Sequence, residues 1–148
     1  PDAHIVRTSW VIGDGSNFVR TMASLAERGV DPQVVDDQIG RLTFTSDIAR
    51  CIRHLLETGA PWGTYNLTGA GEPRSWADIA RIVFEQTGHD PERVAGVSTA
   101  EYFAAGNSPI APRPRFSVLD LTKIERSGFT PADFEVRLKN YVVAMSNG

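Results

Sequence analysis

Residues 4–11, His-Ile-Val-Arg-Thr-Ser-Trp-Val, form an apolar, β-branched run without clean alternation that stops at Gly13-Asp14-Gly15-Ser16. Such a run reads as a strand covered on both faces, which calls for helices packed above and below it. From Asn17 to about Arg28 the apolar residues Phe18, Met22, Leu25 and Ala26 recur at helical spacing, and Gly29 stands where a helix ends. The glycine turn therefore presents its polar groups at a helix N-terminus.

The same alternation continues along the chain. After Pro32, Gln33-Val34-Val35 is a strand candidate, and Asp36-Asp37-Gln38-Ile39-Gly40 follows as a polar loop. Thr45 or Ser46 can cap a helix whose face of Ile48, Ala49, Ile52, Leu55 and Leu56 runs to Gly59. Trp62 to Thr68 reads as a strand between glycines. Ser75, with Asp78 three residues on, caps a helix carrying Trp76, Ile79, Ala80, Val83 and Phe84 up to Gly88. Residues 89–116 are irregular and contain Pro91, Pro109, Pro112 and Pro114, the mark of a functional segment in a small domain. Asp120 can cap a short helix through Arg126. Thr130, with Pro131 at the first helical position and Asp133 at the third, opens a last helix with Phe134, Leu138, Tyr141, Val142 and Met145 on one face. The expected fold is α/β or α+β, a small sheet with about five helices in one domain spanning residues 1–148.

Composition narrows the function. The chain has 148 residues, enough for one ordinary domain but not for a dinucleotide-binding domain and a separate substrate domain together. Its 15 basic and 18 acidic side chains are interspersed, and a net charge of -3 offers no field for nucleic acid. No apolar run approaches the roughly 20 residues that cross a bilayer, so no membrane partner is expected and a cytoplasmic setting fits. Cys51 lies in a helical apolar pattern and reads as a packed thiol. His4, His54 and His89 lack metal-ligand spacing, so no protein metal site is expected. No glycine-rich strand-turn-helix fingerprint occurs, and Tyr65, Tyr102 and Tyr141 are followed four residues later by Gly69, Gly106 and Met145 instead of Lys. The chain begins at Pro1 and a strand starts almost at once, as though cut from a longer product.

Several ordered blocks carry a resemblance: Arg7-Thr8-Ser9-Trp10-Val11, Gly15-Ser16-Asn17-Phe18-Val19, Val34-Val35-Asp36-Asp37-Gln38-Ile39-Gly40, Tyr65-Asn66-Leu67-Thr68-Gly69, and Arg113-Pro114 ahead of Ser117-Val118-Leu119-Asp120. Together they span nearly the whole chain, which resembles the C-terminal substrate-binding portion of the dTDP-4-dehydrorhamnose reductases, extended short-chain dehydrogenases/reductases. Ile12 and Leu42-Thr43-Phe44 depart from the family's usual Tyr and Pro-Thr-Tyr.

The resemblance implies NADPH or NADH for the complete enzyme, with Mg as an ion that subunits could share, and an N-terminal Rossmann domain absent from this chain. No cofactor-binding or catalytic residue is assigned here, and the piece alone is expected to be inactive. Its partners would be that missing domain, a dTDP-sugar substrate and, if an apolar face is left bare, a second copy in a homodimer.

The resemblance also selects substrate-binding residues. Trp10 would lie against the sugar ring, although a Trp after a strand is as ordinary in a core. Asn17 would reach a sugar or phosphate oxygen, although its position suits an N-cap equally. Val35 and Gln38 would hold the thymine, the amide offering both donor and acceptor. Arg113, between two prolines, would contact the diphosphate. Glu101-Tyr102 resembles a block that shapes the family's pocket. Two alternatives stay open: another nucleotide-sugar epimerase or reductase of the superfamily, and a non-catalytic module that binds a nucleotide sugar or a protein.

Overall fold

The initial β-branched run does not make one strand. In the computed structural model, which describes residues 2–104 and 111–146, it forms β1 (His4–Arg7) and β2 (Val11–Ile12), with Trp10 between them at a φ of 49°. A left-handed backbone at a bulky residue ends regular pairing, so β1 and β2 go to different partners. β3 (Gln33–Val35), β4 (Ile39–Gly40), β5 (Thr43–Phe44), β6 (Gly63–Asn66), β7 (Arg74–Ser75) and β8 (Ala95–Val97) complete the strands of the described residues. They pair two by two: β1 with β6, β2 with β5 and β3 with β8 in parallel, and β4 with β7 antiparallel. The expected single small sheet is thus four short ladders, joined by helices whose long crossovers parallel pairing requires.

Six α-helices occur among the described residues, one more than expected: α1 (Phe18–Glu27), α2 (Thr45–Glu57), α3 (Trp76–Gln86), α4 (Thr99–Phe103), α5 (Thr122–Arg126) and α6 (Phe134–Ser146). The extra element is α4, set within the irregular segment together with β8 and a 3-10 turn at Pro91–Arg93. Pro109 lies outside the described residues.

Helix ends follow local chemistry where no tertiary contact competes. Asn17 caps α1, and Gly29 beyond it takes a φ of 71°. Ser75 and Asp78 form the expected capping box on α3. Two starts differ. α2 follows β5 directly, so Phe44 is its N-cap and neither Thr45 nor Ser46 caps it. α6 begins after Asp133 and not at Thr130, because Ala70 accepts a hydrogen bond from Phe134 N and donates to Ala132 O, holding that stretch extended. Asp133 Oδ1 then accepts from the N–H groups of Glu135 and Val136, the work expected of Thr130.

Two cores result. The larger gathers Ile12 and Leu42 from the strand region, Val19 and Met22 of α1, Ile79, Val83 and Phe84 of α3, and Phe134, Leu138 and Val142 of α6. The smaller sits between α2, β6 and α5 and contains Cys51, Leu55, Tyr65, Leu67 and Ile124. Cys51 is packed there, and burial raises its pKa to about 11.

The buried face of α2 is Asp47, Cys51 and Leu55; of the stripe read from periodicity only Leu55 is buried and Ile48 half-buried against the smaller core, while Ala49, Ile52 and Leu56 are exposed. Arg137 of α6 draws Asp47 inward with a 3.0 Å ion pair, which turns the helix so that Ile52 and Leu56 face outward. Leu56 is 63% exposed and Trp62 53%; with His4, Val6 and Ile48 they border a shallow hollow beside β1. Ile5 and Arg7 are also exposed, so β1 is open on one face, contrary to a strand covered on both.

The capping box yields a first test. Burial opposes ionisation of Asp78, but hydrogen bonds from the Ser75 hydroxyl and N–H, with help from Arg81, outweigh it and lower the pKa below 3.8. A lowered folded pKa contributes stability that is complete above the unfolded value and is lost as pH falls through the folded one. Ser75→Ala should therefore cost about 1 kcal/mol in denaturant midpoint at neutral pH. The difference from the parent should shrink as pH drops below 3.8.

Candidate functional site

In the loop after β3, hydrogen-bonded polar groups meet aromatic rings. Parallel pairing of β3 with β8 continues past Val35, where Asp36 N donates to Val97 O at 2.9 Å. This register delivers the start of α4 to residues 36–38. Asp37 Oδ1 accepts from Thr99 N at 3.0 Å and from Thr99 Oγ1 at 2.5 Å, and Gln38 Nε2 donates to Thr99 Oγ1 at 3.0 Å. The bond from the Thr99 hydroxyl is the main reason that the Asp37 pKa is lowered, with Arg115 adding a smaller attraction.

On the other side of the loop, Ile39 N donates to Arg115 O at 2.8 Å, and Ser117 N donates to Ile39 O at 2.7 Å. Ser9 Oγ donates to Ser117 O, tying the same stretch to the segment before Trp10. The Pro112-Arg113-Pro114 stretch is thereby drawn alongside a loop far from it in sequence.

These elements enclose a cavity of about 320 Å³. Val34, Val35 and Gln38 form its floor, Phe18 and Met22 of α1 and Trp76 of α3 one wall, and Tyr102 and Phe103 of α4 another. Arg113 lines it with an exposed side chain. A largely apolar, aromatic lining with the amides of Gln33 and Gln38, the Thr21 hydroxyl and one guanidinium suits a flat heterocycle carrying an anionic group.

Of the residues selected from sequence, Val35, Gln38 and Arg113 meet in this cavity. Trp10 stands one ring behind it. Its indole stacks on Trp76 with centroids 3.8 Å apart and planes 19° apart, and Phe18 tilts against Trp76 at 4.6 Å. A Cβ at Gly40 would lie 2.8 Å from the Trp10 ring, so the glycine is what admits the indole.

Asn17 is not a cavity residue, and its amide is engaged internally. Oδ1 accepts from Arg20 N, while Nδ2 donates to Gly13 O, Gly15 O and Tyr141 Oη. It caps α1 and pins the glycine turn.

Phe18, Trp76 and Thr99 are not among the residues selected from sequence. Phe18 and Trp76 sit in the first turns of helices with strong apolar stripes, and periodicity assigns any such residue to the core. Glu101-Tyr102 was noticed only through family resemblance, and the Ser98–Glu101 capping box that starts its helix was the available local signal. Among the described residues there is no cluster of three or more His, Cys, Asp or Glu suited to a metal ion, and no helix long and apolar enough to cross a membrane.

Comparison with known proteins agrees over almost the full chain. The RmlD substrate binding domain family matches residues 1–147. The spore coat polysaccharide biosynthesis protein SpsK of Bacillus subtilis is 39% identical over 99% of this chain and 49% of its own length. A dTDP-4-dehydrorhamnose reductase of Mycolicibacterium smegmatis is 36% identical over 98% of this chain and 43% of its own. Among solved structures, a dTDP-4-dehydrorhamnose reductase of Clostridium acetobutylicum superposes with a TM-score of 0.85 at 34% identity, covering 97% of this chain and 49% of that one. The reductase of Bacillus anthracis in complex with NADP gives 0.81 at 31% identity, over 96% and 48%. The chain spans about half the length of the curated relatives it matches.

The aromatic stack can be tested directly. Gly40→Ala should push Trp10 off Trp76, seen as loss of the coupled indole signal in circular dichroism, with overpacking costing about 1–3 kcal/mol. Gly15→Ala, where the turn is strained but the added Cβ meets nothing within 4 Å, should leave that signal in place.

Proposed function

The chain belongs to the RmlD substrate binding domain family, and from that premise we propose that it grips the nucleotide sugar for a reductase converting dTDP-4-dehydro-L-rhamnose to dTDP-L-rhamnose with NADPH or NADH. The observation that carries this reading is the convergence of Val35, Gln38 and Arg113 on one aromatic-walled cavity. The thymine lies on Val35 between Phe18, Trp76 and Tyr102, and its polar edge meets Gln38. Arg113 neutralises the diphosphate, and its flanking prolines limit the conformational freedom lost on binding.

The sugar extends from the cavity past the Trp10–Trp76 stack. Trp10 supports this wall, and Asn17 acts by holding the Gly13–Ser16 turn in place rather than by offering its own occupied amide. The bound coenzyme supplies hydride to the sugar carbonyl. These side chains contribute position, since a reacting carbonyl must be held within roughly 3–3.5 Å of its donor.

In this reading the coenzyme belongs to an N-terminal Rossmann domain of a longer protein, as the double length of the relatives supports. That domain packs against the hollow bordered by Ile52, Leu56 and Trp62, burying apolar surface that is costly to leave in water.

The test is calorimetry on the full-length protein with dTDP, dTDP-rhamnose and UDP-glucose, paired with an NADPH oxidation assay. Binding of the two thymidine ligands and reduction of the 4-dehydro sugar are expected. A folded, full-length protein that binds none of the three would refute the reading. Arg113→Ala should weaken dTDP binding about 10- to 100-fold, the value of a charge-assisted hydrogen bond pair, with little change in thermal stability because the side chain is exposed.

A further inference from the structure

The Thr99 hydroxyl carries one proton, and its neighbours determine where that proton points. Asp37 Oδ1 lies 2.5 Å away and also accepts the Thr99 N–H. Its lowered pKa keeps it ionised at neutral pH, and an ionised carboxylate can only accept. Thr99 must therefore donate to Asp37. What remains for Gln38, 3.0 Å from the same oxygen, is a lone pair, so the amide must present Nε2–H there.

This removes the freedom that usually makes a glutamine amide ambiguous. With Nε2 committed to Thr99, the carbonyl Oε1 occupies the other position, where it has no hydrogen-bond partner among the described residues. Gln38 is only 9% exposed yet lines the cavity, so a ligand in the cavity meets this amide in one orientation.

Orientation matters because the two pyrimidine edges are reversed. Thymine offers a ring N–H donor beside a carbonyl acceptor. Cytosine offers a ring nitrogen acceptor beside an amino donor. An amide free to flip can pair with either in the same pose, whereas one held in place pairs with one and sets donor against donor, or acceptor against acceptor, with the other.

We infer that Asp37 and Thr99 are positioning residues that hold the Gln38 amide in a single orientation, so that Oε1 accepts the ring N–H of a thymine or uracil base and cytosine is rejected. The inference rests on the nucleotide-sugar reading of the cavity and adds to it the source of base selectivity. Neither residue touches the ligand. Their effect appears in the ratio of affinities, which a general loosening of the cavity would not alter.

The experiment is calorimetry of dTDP and dCDP on the full-length protein and three variants, with folding checked by circular dichroism. The unaltered protein should prefer dTDP by about tenfold or more, the equivalent of one mismatched buried hydrogen bond. Thr99→Val removes the acceptor that holds Nε2 and should bring the two affinities within about threefold, mainly by improving dCDP, since each unmade buried bond is worth roughly that factor. Thr99→Ser keeps the hydroxyl and should keep the preference.

Asp37→Leu removes the acceptor of the Thr99 hydroxyl at similar side-chain volume and serves if the valine variant misfolds. The freed hydroxyl can donate to Gln38 Oε1, so the Gln38 amide is no longer held one way and dCDP binding gains. An unchanged dTDP:dCDP ratio in folded Thr99→Val or Asp37→Leu overturns the inference while leaving the thymidine site intact. Equal binding of both nucleotides by the unaltered protein also overturns it. Binding of neither overturns the underlying reading and the inference with it.

Discussion

Strand β4 is paired along both edges, and the candidate site depends on that. On one edge β4 pairs with β7, bringing the N-terminus of α3 and Trp76 alongside. On the other, Ile39 exchanges hydrogen bonds with Arg115 and Ser117, bringing the proline-flanked Arg113. Gln38 precedes this point and Gly40 follows it, so the amide and the gap that admits Trp10 are set by the same short strand. A buried backbone that satisfies its polar groups on two sides resists displacement, because moving either neighbour leaves donors or acceptors unpaired.

The aromatic wall shows how strain and packing combine. Trp10 takes a left-handed backbone that costs on the order of 1–3 kcal/mol. The conformation places the indole on Trp76 and against the bare backbone of Gly40. Phe18 continues the row from α1, whose cap residue Asn17 also donates to Tyr141 of α6. The cavity wall is thus braced by elements from both ends of the chain, and local changes in the glycine turn or in α6 are felt at the rings.

Two regions of the molecule differ in how completely they satisfy themselves. The cavity side closes its polar groups through Asp37, Thr99 and the capping boxes of α3 and α4. The β1 side leaves Ile5, Ile52, Leu56 and Trp62 in water. The chain spans about half the length of its relatives, and these exposed apolar side chains lie on and beside β1.

Much of this was legible from residues alone. The α1 cap at Asn17, the box at Ser75 and Asp78, the packed thiol of Cys51 and the inner face of α6 follow from nearest neighbours and periodicity, because capping and amphipathicity act within one or two turns. The mixed α/β character followed from the alternation of β-branched runs with helical stripes. Where tertiary contacts overrode local rules, sequence reading went astray: the Asp47–Arg137 pair turned α2, the Ala70 bridge delayed α6, and Trp10 divided the first strand. Only the folded chain could bring Gln38, Thr99 and Arg113 together, or place Trp76 between Trp10 and Phe18, since those contacts join segments that no local interaction links. Spacing along a chain encodes what happens within a turn; proximity across it arises from the packing of all the elements at once.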